Sequence, residues 1–296
     1  MKVIRVGTRG SQLALTQTGQ VIAALAAIHP DVRFEQIVIR TTGDRRQNVP
    51  FADVGTKGMF VKEIEEALLA DEIDFAVHSL KDMPGELPEG LTLSAVPRRQ
   101  DPRDALLSAG ADLEGLTRGA RVGTSSLRRH IQLRSVRPDL RVEELRGNLD
   151  TRIRKLSEGQ YDAIVLACAG LERMGWADQI TQRIPEDVSI PAPGQGALAL
   201  ETRAGDSDTA AVLTPLHDPD TASAVEAERA FQAALNAGCS VPAGAHARVD
   251  GSELRFLAFL ADADGSNLVR VSDAGPRSDA AVIGRRVAER LRVERG

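Results

Sequence analysis

The residues best able to do chemistry in this chain are its arginines. Between Arg118 and Arg154 ten arginines stand against four acids, a local charge of +6 in a chain whose 37 basic and 42 acidic residues sum to −5. Arg121-Val-Gly-Thr-Ser-Ser-Leu-Arg-Arg129 reads as a strand, a small-residue turn and a helix start. In that geometry free backbone N–H groups and the helix dipole hold an anion. Ser125, Ser126, Arg128 and Arg129 add side-chain donors there. Leu145-Arg-Gly-Asn-Leu-Asp-Thr-Arg152 repeats the arrangement, with Arg146 at a strand end, Gly147 permitting close approach, and Asn148 or Thr151 near the next helix start. Guanidinium groups pair with carboxylates and phosphates through two parallel hydrogen bonds, so two such turns side by side suit a ligand with several acidic groups. A solvated arginine-rich face is the bland alternative, because the chain uses 32 arginines against 5 lysines. Two strand–turn–helix sites in succession favour function. Carboxylate is favoured over phosphate, since neither GxxxxGK[ST] nor a strand-borne GxGxxG is present.

Two further groups stand out. In His78-Ser-Leu-Lys-Asp-Met-Pro84, Lys81 and Asp82 fall at the carboxyl end of a predicted strand, where open α/β sheets place their ligands. A carboxylate there stabilises a developing cation or passes a proton; a turn-capping aspartate is the simpler reading of the spacing alone. Cys239 lies in the glycine-flanked loop Ala237-Gly-Cys-Ser-Val-Pro242, the setting of an accessible thiol or attachment point, although no histidine is near it in sequence. Cys168, inside an apolar run read as a strand, is a small buried hydrophobe. With no CxxC pair and five scattered histidines, no metal site is expected.

Short β-rich runs alternate with helical patterns through the first two thirds of the chain, which predicts βαβ units around mostly parallel sheets and an α/β class. Expected strands are Lys2–Gly7, Phe34–Arg40, Phe75–Leu80, Arg121–Thr124 and Tyr161–Cys168; expected helices are Ser11–Ile28 with Ser11 as N-cap, Met59–Ala70 and Ser126–Val136. Thr41–Gly58 carries no periodicity and reads as a long loop, a candidate lid. Boundaries are expected near Pro97–Arg103 and in the linker Ile190-Pro-Ala-Pro-Gly-Gln-Gly196. The remaining third is α+β in pattern: a helix over Thr221–Asn236, strands Leu254–Leu260 and Asn267–Val271, and a helix over Ser278–Leu291.

At 296 residues, 42% hydrophobic and 27% charged, the composition is that of an ordinary globular protein of two or three domains. The longest apolar stretches, Val21–Ile28 and Ala163–Leu171, fall far short of the roughly 20 residues of a membrane span. The amino-terminal residues show no signal-peptide pattern, so a cytoplasmic protein without membrane contact is expected. Net negative charge and 3% aromatic residues argue against nucleic acid as a partner.

Nine segments, in order, resemble the porphobilinogen deaminase family: Gly7-Thr-Arg-Gly-Ser-Gln-Leu-Ala-Leu15, Thr41-Thr-Gly-Asp44, Lys57–Glu65, His78–Pro84, Asp101-Pro-Arg-Asp-Ala105, Val122–Arg129, Leu145-Arg-Gly-Asn148 with Thr151-Arg152, Pro193-Gly-Gln-Gly-Ala197, and Gly238-Cys239 followed by Val241-Pro-Ala-Gly244. Thr56 departs from the family pattern where a second glycine is expected before Lys57, and Asp150 slightly weakens the local positive potential. The resemblance implies three domains, two of periplasmic-binding-protein type (1–98 with 194–216, and 99–193) and a small α+β one (217–296). It also implies a transferase that deaminates porphobilinogen and joins four molecules head to tail into hydroxymethylbilane, in tetrapyrrole (heme) biosynthesis. A dipyrromethane cofactor would be held by a thioether to Cys239, and Asp82 would stabilise positive charge on the pyrrole nitrogens. Carboxylates of cofactor and substrate would be bound by Arg9, Ser11, Lys81, Ser126, Arg128, Arg129, Arg146, Arg152 and Arg173. A monomer is the default. A non-enzymatic bilobal anion- or solute-binding protein is the alternative, and it leaves Cys239 without a purpose.

Overall fold

The computed structural model describes residues 2–42, 60–235 and 241–295. Cys239 and all of the Thr41–Gly58 loop beyond Thr42 lie outside the described residues.

The amino-terminal α/β alternation folds as predicted. Strand β1 (Lys2–Arg9) leads into α1 (Gln12–Ile28), whose N-cap is Ser11: its Oγ accepts from Ala14 N at 3.3 Å, satisfying one of the donors a helix start leaves open. β2 (Val32–Ile39), α2 (Lys62–Leu69), β3 (Phe75–Ser79) and β4 (Leu91–Ala95) follow. The chain then crosses to a second sheet, built from β5 (Asp104–Ser108), β6 (Arg121–Gly123), β7 (Arg141–Glu143), β8 (Ala163–Ala167) and β9 (Gln182–Ile184). Its helices are α3 (Leu127–Val136), α4 (Leu149–Ser157) and α5 (Cys168–Arg173).

After Ile190 the chain returns, and β10 (Leu198–Arg203) inserts antiparallel between β3 and β4, giving the first sheet the order β2-β1-β3-β10-β4. The second sheet has the order β7-β6-β8-β5-β9, again parallel except for one antiparallel strand, β5. Helix α6 (Ser207–Leu213) follows β10. The last third pairs α7 (Pro219–Ala234) and α8 (Ala280–Arg295) with an antiparallel sheet of β11 (Ala243–Asp250), β12 (Glu253–Leu260) and β13 (Val269–Pro276).

Both large sheets are covered on two faces. Ile4, Val6, Phe75 and Val77 of the first pack against Val21 and Leu25 of α1, while Ile73 and Ala76 meet Ile64 and Leu68 of α2 on the opposite side. Strands buried on both faces read as unbroken apolar runs rather than alternating ones, and Phe75-Ala-Val is such a run. Two seams join the units: Leu80, Met83, Ala197 and Ala199 meet Val225 of α7, and Ile131 and Ile190 meet Phe259 and Ala261. One expectation is corrected: Cys168 opens α5 instead of ending a strand, because the apolar run Ala163–Cys168 spends its last residue on the helix start. Its thiol is buried, and burial pushes it up to about 12.

Candidate active site

A cleft of about 340 Å³ lies between the two large sheets. From the first sheet come Arg9 and Ser11 at the end of β1, Leu13 and Gln17 of α1, Phe60, and Ser79, Lys81 and Asp82 at the end of β3. The second contributes Ser125, Arg129, the stretch 146–150 with Arg152, and Arg173, Met174 and Trp176.

The Lys81-Asp82 turn is set by its neighbours. β3 ends in a 3-10 turn over Leu80–Asp82 whose Leu80 is buried, and Leu80 N donates to Ala197 O at 3.1 Å. Pinning Leu80 inward leaves Lys81 and Asp82 at the cleft wall. Asp82 Oδ2 stands 3.8 Å from Arg9 Nη1, and the Arg9 guanidinium lies over the Phe60 ring, 4.2 Å from its centroid, a cation–π contact that orients it. Burial is the main force lowering the Lys81 ammonium to about 8, against the pull of Asp82.

On the opposite wall, Gly147 carries φ +114°, and a Cβ there would sit 2.6 Å from Thr151 Cγ2. Glycine is therefore what lets the chain turn sharply into α4, where Arg152 Nε donates to Gly147 O at 2.8 Å. Arg173, the last residue of α5, donates from Nη2 to Gly196 O at 2.7 Å. Burial lowers both guanidiniums to about 10, Arg129 adding to the effect at Arg152. Among the described residues, no carboxylate lies within ion-pair distance of Lys81, Arg152 or Arg173, although each is held partly out of water. Cations desolvated without a counter-charge cost stability, and a bound anion repays that cost.

The sequence-predicted residues divide into two groups. Arg9, Ser11, Lys81, Asp82, Arg129, Arg146, Arg152 and Arg173 all line the cleft; Arg146 also pairs with Glu144. Arg128 and Ser126 do not line it. Arg128 turns inward, Nη2 donating to Asp104 Oδ1 at 2.9 Å and Nη1 to Ile190 O at 2.6 Å. Ser126 is the N-cap of α3, its Oγ accepting from Arg129 N at 3.4 Å, and Ser125 takes the wall position. The charge pattern also passed over the apolar part of the cleft lining, Leu13 on one wall and Leu149, Leu166, Met174 and Trp176 on the other. Such residues look like ordinary core in a sequence, and Trp176 does pack partly against the core of the second sheet.

The profile described as "Porphobilinogen deaminase, dipyromethane cofactor binding domain" matches residues 4–211, and "Porphobilinogen deaminase, C-terminal domain" matches residues 222–293. The chain belongs to the porphobilinogen deaminase family. The porphobilinogen deaminase of Syntrophobacter fumaroxidans is 52% identical over 98% of this chain and 94% of its own length. That of Brevibacillus brevis is 50% identical over 97% and 93%, and that of Geobacter sulfurreducens 48% over 99% and 92%. The periplasmic VFT2 domain of Bordetella pertussis BvgS covers 71% of the chain at 17% identity and a TM-score of 0.41, too loose a likeness to bear on function.

The family's cofactor-binding region thus includes every residue of the cleft. A dipyrromethane carries aromatic ring faces and several carboxylates, and the lining fits it: desolvated cations with no carboxylate at ion-pair distance among the described residues, interspersed with the apolar side chains of Leu149, Met174 and Trp176.

Proposed function

We propose that this protein is a hydroxymethylbilane synthase, deaminating four porphobilinogen molecules and joining them head to tail on a dipyrromethane group held by Cys239. The observation that carries the reading is the placement of Asp82 beside Lys81, Arg152 and Arg173 in one cleft, cations with no carboxylate partner among the described residues. When bound, the cofactor supplies the free pyrrole α-carbon that attacks the deaminated substrate. The chain's own residues do the rest. Arg9, Ser11, Lys81, Arg129, Arg146, Arg152 and Arg173 bind acetate and propionate groups, fixing rings in register across the cleft. Arg128 and Ser126 act from behind, one through the buried ion cluster and the other by capping α3. Asp82, held by Arg9, presents a carboxylate to pyrrole N–H groups as positive charge develops on nitrogen, and accepts or returns a proton there. A fixed anion near a developing cation typically supplies a hundredfold or more in rate.

The same reading divides the chain into 1–98 with 194–216, 99–193 and 217–296; the membership of β10 in the first sheet supports it. It takes the protein to be a cytoplasmic monomer that engages neither nucleic acid nor membrane; among the described residues, no helix is long and apolar enough to cross a membrane. A pure solute-binding role is disfavoured, because it leaves the Asp82 carboxylate among ligand-binding cations without a purpose.

The test is the intact mass of the denatured protein, followed by peptide mapping. A covalent addition equal to two substrate-derived pyrrole units on the Cys239 peptide is expected. A mass that stays unmodified after incubation with porphobilinogen and with preformed hydroxymethylbilane would overturn the reading.

A further inference from the structure

Asp101-Pro-Arg-Asp-Ala105 has no role in the reaction as described above. Asp104 opens β5 and is wholly buried. Its carboxylate accepts four hydrogen bonds: from Arg128 Nη2 at 2.9 Å, Arg129 Nε at 2.9 Å, Ser189 Oγ at 2.7 Å and Gln195 Nε2 at 2.9 Å. Burial opposes ionisation, and the two guanidiniums overcome it, holding the carboxyl far below the usual range.

These partners are not a local set. The segment from β4 to β5 and the segment from β9 to β10 are the two passages by which the chain crosses between the large sheets. Gln195, on the second passage, also donates to Pro102 O on the first at 2.6 Å, and Arg128 donates to Ile190 O. Asp104 thus ties both crossings to the arginine doublet that opens α3.

Arg129 is the member of the doublet that reaches the cleft. A guanidinium has five N–H donors in one rigid plane. Here Nε donates to Asp104, Nη1 to Val165 O at 3.1 Å and Nη2 to Gln195 Oε1 at 3.4 Å, and Nη2 also stands 2.8 Å from Asp104 Oδ1. One N–H remains, on Nη1, and the plane fixed by the other contacts sets where it points. We infer that Asp104 is a positioning residue: it sets the plane of Arg129 so that the remaining N–H meets a ligand carboxylate, and it makes that orientation depend on where the two inter-sheet crossings lie. A change in the angle between the sheets then alters ligand binding at Arg129 without any residue of the crossings touching the ligand.

This inference rests on the hydroxymethylbilane synthase reading, and its test separates the two. Cofactor-free protein is exposed to preformed hydroxymethylbilane, and the half-saturating concentration for covalent mass gain is read by intact mass, with thermal unfolding as the control for folding. Asp104→Asn is expected to raise that concentration about tenfold, the loss of one well-oriented charge-assisted contact. Arg129→Ala should raise it at least as much, and the double variant no further. A purely structural role gives additive effects in the cycle, because two independent losses multiply. Should Asp104→Asn fail to fold, Gln195→Leu replaces it, with an expected threefold rise that likewise vanishes in the Arg129→Ala background. Additive losses, or an unchanged half-saturating concentration, overturn the positioning role. A parent protein that gains no mass at all overturns the functional reading and this inference with it.

Discussion

Replacing Lys81 by methionine should make the cofactor-free protein more stable while crippling it. The ammonium sits at the cleft with burial lowering it from 10.5 to about 8, opposed by Asp82 and reinforced by Arg129. At about 1.4 kcal/mol per tenfold change in proton affinity, that fall corresponds to about 3 kcal/mol of electrostatic cost at neutral pH. Methionine is unbranched and only one atom shorter than lysine, and it removes the charge. For a chain of this size 1 kcal/mol moves Tm by roughly 2 °C, so Lys81→Met should unfold about 6 °C higher than its parent at pH 7. The sign of the pH dependence follows from linkage. Below pH 8 the lysine is protonated folded and unfolded, and the whole cost is present. Between about 8 and 10.5 only the unfolded chain keeps the proton, so the parent gains stability and the gap closes. Thermal unfolding of both proteins from pH 6.5 to 10 reads this directly. A variant no more stable than the parent at pH 7, or a gap that widens as pH rises, refutes the argument that the cleft holds cations at a cost that its ligand relieves. The same variant should acquire little covalent pyrrole mass, since the anchor for one carboxylate is gone.

Three other outcomes are expected. Asp82→Asn should keep the fold and the covalent cofactor yet turn over porphobilinogen at least about a hundredfold more slowly; a rate near the parent's removes Asp82 from the chemistry. Gly284→Ala should lower Tm by several degrees, because its Cβ would lie 2.1 Å from Ala227 O and 3.0 Å from Phe231 N, backbone atoms of α7 that cannot swing aside. An unchanged Tm would show that α7 and α8 do not pack so closely. Titration with porphobilinogen should change the emission of Trp176, the sole tryptophan, which lines the cleft; constant emission would take the apolar lining out of the binding site.

Much of the site was legible in the sequence because charge in unusual density is costly unless used. The Ser11 N-cap was legible too, since Ser11 stands immediately before helical periodicity begins, whereas Ser126, expected to bind the ligand, proves to be the cap of α3. What stayed hidden has physical causes. β7 and β9, which no expected strand covered, have three residues each, too few for any period to show. β10 follows a proline- and glycine-rich passage, and nothing local says that it pairs with β3, more than a hundred residues earlier. The apolar run through Cys168 was indistinguishable as strand or helix, because short buried runs carry no amphipathic signature. Nor does an Arg-Arg doublet reveal which member faces the ligand. Both donate to Asp104, which lies 25 residues upstream of Arg129, and Arg128 is turned away by its further bond to Ile190 O.

The insertion of β10 between β3 and β4 has a consequence for how the protein is born. A ribosome delivers β1 to β4 early, but the gap between β3 and β4 stays open until Leu198–Arg203 emerges, after the whole second sheet has been made. At about 5–20 residues per second the interval is roughly ten seconds, during which two apolar strands wait with unpaired edges. Leu80 N meets its acceptor, Ala197 O, only when that last strand docks. The nascent chain therefore acquires the Lys81-Asp82 turn late, and an early-terminated product carries a half-built lobe that is a target for chaperones or proteases but not a partial catalyst.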